Sequence, residues 1–104
     1  MDDTSKPNVK NYLNARQFLQ DFYAYGKKNI PDFSYQLWAE ELGLTSRSYL
    51  RFAILGKRKI SEEMIQKIST YFKFSDSERE YFSILVLYTQ TVQTAQKNMY
   101  GKKL

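Results

Sequence analysis

The chain has 104 residues, of which 16 are basic, 11 acidic and none His or Cys, for a formal net charge of +5. That length supports one modest core, and the missing thiols and imidazoles exclude disulfides, thiolate or imidazole metal sites, a cysteine nucleophile and the commonest base; neither an enzyme nor a cofactor or metal site is expected. With 42% hydrophobic and 16% aromatic residues but only 4 Gly and 2 Pro, the composition predicts a packed all-α globule, and the polar N-terminus, the lack of Cys and the short apolar runs point to a cytoplasmic protein with no membrane partner.

Residues 1–10 include Pro7 and hold little that could be buried, so they are expected to form a flexible arm. A first helix follows from about Asn11 or Asn14 to Lys28, with Ala15, Phe18, Leu19, Phe22 and Tyr25 recurring on one face. Asn29 to Asp32 then read as a loop. Ser34 is placed to cap a second, short helix that turns Leu37, Trp38 and Leu42 inward and ends at Gly43. At this spacing Trp38 reads as core, not as a base-stacking platform. Thr45 or Ser46 caps a third helix with Tyr49, Leu50, Ala53 and Ile54 as its apolar positions and Gly56 at its end.

Ser61 with Glu62 and Glu63 marks a fourth helix start, because carboxylates suit the positive end of the helix dipole. Met64, Ile65, Ile68, Tyr71 and Phe72 line its inner face. Ser75 and Glu78 have capping-box spacing ahead of a fifth helix that is apolar nearly all round from Tyr81 to Tyr88. Its polar second half keeps Tyr81, Leu85, Tyr88, Val92, Ala95 and Met99 at alternating four- and three-residue steps. This heptad-like seam predicts one long C-terminal helix, on which Val92, Ala95 and Met99 either continue the core contact or form a stripe for a homodimer or a protein partner.

The charge is unevenly placed. Between Leu42 and Ser61 there are five basic residues (Arg47, Arg51, Lys57, Arg58, Lys59) and no acidic one, which leaves 11 basic against 11 acidic elsewhere. A local excess of this kind is the footprint of a polyanion site, since each cation set on a phosphate releases condensed counterions. The same stretch has the makings of a helix-turn-helix: a small residue (Ala39) that lets two helices pack closely, a Gly four residues on (Gly43), and apolar residues (Leu44, Leu50) beyond the turn.

Leu37, Ala39, Leu42, Gly43, Ser46, Leu50 and the segment Gly56 to Lys59 resemble the repressor-type, XRE-like helix-turn-helix family over roughly Tyr35 to Phe74. Phe33, Ser34, Tyr35, Gly56, Lys57 and Arg58, with Glu80, Tyr81, Phe82, Leu85 and Val86, are similar to an uncharacterised bacterial family of helix-turn-helix regulators. The resemblance implies a five-helix repressor-like fold, a DNA-binding domain over residues 11–88 with its helix-turn-helix at about 35–55, and a C-terminal helix extension with a basic tail over 89–104. It also implies a transcriptional regulator that binds double-stranded DNA with the third helix in the major groove. Ser46, Arg47, Ser48, Arg51 and Phe52 then face outward near the start of that helix and are expected to meet base edges, where a guanidinium can grip guanine O6 and N7. Lys57, Arg58 and Lys59, in a loop without fixed direction, are expected to hold phosphates. The competing reading is a protein-interaction module on the same scaffold without DNA readout.

Overall fold

Five helices begin where a short polar side chain folds back onto the backbone. In the computed structural model, which describes residues 6–91 and 94–104, Asn14 caps α1 (Ala15–Asn29), Ser34 caps α2 (Tyr35–Leu42) and Ser46 caps α3 (Arg47–Leu55). Ser61 caps α4 (Glu62–Tyr71), and Ser75 opens α5 (Asp76–Gln90) through a full capping box with Glu78. Each cap accepts a hydrogen bond from an amide with no intrahelical partner, a contact worth about 1 kcal/mol against Ala. A sixth helix, α6 (Thr94–Gly101), follows. Among the described residues there is no strand, and no helix is long and apolar enough to cross a membrane.

The helices close around aromatic side chains. Phe22 of α1 lies 5.1 Å from Trp38 of α2 and meets Phe72, just past α4, edge-on at 4.7 Å and 88° between ring centroids and planes. Phe18 reaches Phe82 of α5 at 6.1 Å. Edge-to-face pairs of this kind add to the burial of large apolar surface. Trp38 is fully buried, so it belongs to the core. Helix α5 buries Phe82, Leu85 and Val86 but leaves Leu87 43% exposed, so its apolar run is not covered on every side.

Two expectations are corrected. The segment read as a loose arm already enters the globule at Val9, which is 1% exposed within a 3-10 turn (Val9–Asn11). The Asn8 side chain accepts from the Lys10 amide, the Lys10 ammonium donates to Ser77, and the Tyr81 hydroxyl donates to the Tyr12 carbonyl. The burial of a single Val and these few polar ties carry no periodic signal.

The long C-terminal helix is also absent. Helix α5 ends at Gln90, and Thr91 is extended (φ −81°, ψ 128°) with its amide and its hydroxyl both donating to the Leu87 carbonyl. A β-branched residue that bonds back to the preceding turn weakens helix continuation, and Thr89 does the same to Leu85. Helix α6 then packs on the end of α5: Lys97 donates to the Tyr88 carbonyl at 3.0 Å and stands 4.7 Å over its ring, and Gly101 lies against the same ring. The seam from Tyr81 to Met99 therefore does not run along one helix. Met99 is half exposed on α6, Val92 lies outside the described residues, and only the backbone of Ala95 is described.

Candidate nucleic-acid interface

The link between α2 and α3 is short because Gly43 takes the left-handed conformation (φ 79°) that a side chain would strain. The Leu44 amide then returns to the Ala39 carbonyl at 2.8 Å, closing the end of α2. Ala39 is buried at the contact, and on α3 Leu50, Ala53 and Ile54 are fully enclosed. Their burial turns the opposite face of α3 to solvent. Ser46, Arg47, Ser48 and Arg51 are exposed and Phe52 is half-buried, so all five residues expected at base edges lie on or beside the outer surface of one helix.

Two of them are less free than the sequence suggests. The Ser46 hydroxyl is engaged as the α3 cap, accepting from the Tyr49 amide at 3.1 Å. The Arg47 guanidinium donates to Gln36 Oε1 at 2.9 Å, across an open groove of ≈ 380 Å³ lined by Gln36, Glu40, Thr45, Ser46, Arg47 and Ser48. Gln36 thus belongs to this surface although it lies on α2. Tyr35, its neighbour, stacks on Tyr23 at 3.9 Å with planes 7° apart. Burial raises the Tyr35 hydroxyl pKa and Tyr23 adds to the rise, while the positive charge of Arg51 pulls it down. Gln36 and Arg47 are 11 residues apart in sequence, and no periodicity links them.

Beyond α3, Gly56 (φ 90°) closes the helix in the same left-handed manner, and the amides of Lys57 and Arg58 both return to the Phe52 carbonyl, at 2.8 and 3.2 Å. The Lys57 ammonium stands 6.0 Å from the centre of the Phe52 ring, at the outer range of a cation–π contact. The ammonium and guanidinium groups of Lys59 and Arg58 are exposed and, among the described residues, have no acidic partner. Tyr49, expected on the apolar face, is half-buried and uses its hydroxyl instead: it donates to the Lys59 carbonyl at 3.0 Å and accepts from the Ser61 amide at 3.2 Å. The basic segment is thereby continuous with the outer face of α3. Among the described residues no group of three or more His, Cys, Asp or Glu side chains is placed to hold a metal ion. Comparison with protein-family models, curated proteins and solved structures finds no match for the chain.

Proposed function

We propose that this protein is a sequence-specific DNA-binding transcriptional regulator, with α2 and α3 as a helix-turn-helix and α3 read into the major groove. The observation that carries the reading is one continuous outer surface with two chemistries. Arg47, Ser48 and Arg51 stand exposed on α3, and Lys57, Arg58 and Lys59 follow directly, with no acidic residue between Leu42 and Ser61. Planar guanidinium forks carried on the exposed face of a helix suit base edges, whereas ammonium and guanidinium groups in the segment beyond it suit the phosphate backbone. Helix α3 alone covers only a few base pairs, so the proposal includes two copies side by side on a repeated half-site.

The test is selection of bound fragments from a random DNA pool at near-physiological salt. A recurrent motif is the expected result, and a palindrome with half-sites about one helical turn apart supports the paired arrangement. Affinity for the selected motif should fall steeply with salt, at about 0.9 logarithmic units per phosphate neutralised. Failure to bind any duplex even at low salt overturns the reading in favour of a protein-docking scaffold.

A further inference from the structure

The basic segment after α3 has the sequence of a mobile loop and the hydrogen bonding of a held one. Its attachments come from two distant helices. Arg16 of α1 lays its guanidinium across the end of α3, with Nη1 donating to the carbonyls of Ala53 and Arg58 and Nη2 donating to Gln90 Oε1 at 3.2 Å. Gln90, the last residue of α5, grips both polar groups of Ile60: its Oε1 accepts the Ile60 amide at 2.6 Å and its Nε2 faces the Ile60 carbonyl at 3.4 Å. The Ile60 side chain is itself buried, so the loop is anchored in the core at its far end. Gln20 adds a bond to the Ile54 carbonyl at 3.0 Å.

Together with the Tyr49 hydroxyl and the turn onto Phe52, these contacts occupy the amides of Lys57, Arg58, Ile60 and Ser61 and the carbonyls of Arg58, Lys59 and Ile60. Most of the backbone is engaged while the three cationic residues stay exposed. Burial lowers the Arg16 pKa, yet a guanidinium stays charged in proteins, and among the described residues no carboxylate pairs with it. The group that receives it from α5 is a neutral amide. The fixing is done without cancelling positive charge beside the loop.

We infer that Arg16 and Gln90 are positioning residues: they hold Lys57, Arg58 and Lys59 on a preset backbone that meets successive phosphates of a nucleic-acid strand. The inference rests on the DNA-binding reading above. A free loop would have to lose entropy to set each cation on a phosphate and would leave some of those contacts unmade, whereas a loop ordered before binding makes them together and displaces more counterions. Because Gln90 sits immediately before the break at Thr91, the grip on phosphate is tied to the end of α5 from which α6 departs.

Gln90→Ala and the nearly isosteric Gln90→Met test this without altering any charge. Amide hydrogen exchange on the free protein and the salt dependence of duplex binding are measured for both and for the wild type. The expected result is exchange at Ile60 accelerated at least about tenfold, the equivalent of roughly 1.4 kcal/mol of lost protection. The salt slope should shrink by about 0.9 to 2.7, the loss of one to three phosphate contacts. The ratio of affinities for the selected and a scrambled sequence should be kept, because α3 is untouched. Faster exchange with an unchanged slope, or exchange that does not change, overturns the inference while leaving DNA binding standing. A wild-type protein that binds no duplex overturns both. Should Gln90→Ala fail to fold, Gln90→Met, which fills the same space, decides the matter.

Discussion

Replacing Gly26 by Ala places a methyl group where the structure has no room. A Cβ built at Gly26 would lie 2.5 Å from two carbons of the Phe33 ring and 3.0 Å from a third. Carbon atoms rest at about 3.5–4.0 Å, so the ring must retreat by roughly 1 Å. It is 2% exposed and hemmed in by Phe22 at 5.9 Å, Tyr23 at 5.7 Å and Trp38 at 5.7 Å. Overpacking of a filled core costs about 1–3 kcal/mol, whereas exchanging Gly for Ala inside a helix returns up to about 1 kcal/mol. The expected net loss is about 1–2 kcal/mol, or a fall in Tm of roughly 4–10 °C for a chain of this size. Urea and thermal unfolding measure it. Phe33→Leu should partly rescue the variant, so that the double substitution is less damaging than the two single losses added together, with a coupling of about 1 kcal/mol. Gly26→Ala melting at or above the wild-type temperature would refute the packing argument. Since Phe33 directly precedes the Ser34 cap, the displaced ring also disturbs the start of α2, where Tyr35 and Gln36 join the candidate interface.

Lys73 closes α4 in the left-handed region (φ 56°), where a side chain costs about 1–2 kcal/mol. Lys73→Gly should therefore stabilise the protein by roughly 0.5–1 kcal/mol after the larger entropy of the unfolded chain is deducted, read as a higher urea midpoint. Burial, followed by the carboxylates of Asp21 and Glu41, pushes the hydroxyls of Tyr12 and Tyr71 up to about 12 from 10.0, and burial also raises Tyr81. Folded values above the unfolded one mean stability that is complete below about pH 10 and declines as pH rises toward 12. The urea midpoint should consequently drop between about pH 10 and pH 12, less so in Tyr71→Phe; a pH-independent midpoint would count against these environments. In competition binding, Arg51→Ala should lose about 1–3 kcal/mol on the selected site and relax the preference at one position, whereas Lys57→Ala should weaken all duplexes alike. Equal losses on every sequence for both variants would remove Arg51 from base readout.

Much of this architecture is written locally. Asn14, Ser34, Ser46, Ser61 and Ser75 each satisfy an amide three residues ahead, and Gly43 and Gly56 each adopt a conformation that disfavours side chains, so these helix boundaries are legible without knowledge of the fold. The exposure of Arg47, Ser48 and Arg51 was legible too, because the periodicity of Leu50, Ala53 and Ile54 assigns the buried face of α3. The heptad-like spacing from Tyr81 to Met99 misled because periodicity reports which residues share a face only while the helix continues. Past Gln90 the helix stops where Thr91 turns extended, and α6 packs on Tyr88 instead of continuing the seam.

The candidate interface divides along the same line. Charge and helix pattern alone determined that cations gather after Leu42 and face away from an apolar stripe. Only the tertiary structure decided how they are held: Arg16 meets the Arg58 carbonyl across 42 residues and Gln90 meets the Ile60 amide across 30. Caps and amphipathic faces are interactions within one or two turns and leave their mark in sequence spacing. A side chain that spans to the backbone of another element leaves none, since its partner is an amide or a carbonyl that every sequence carries.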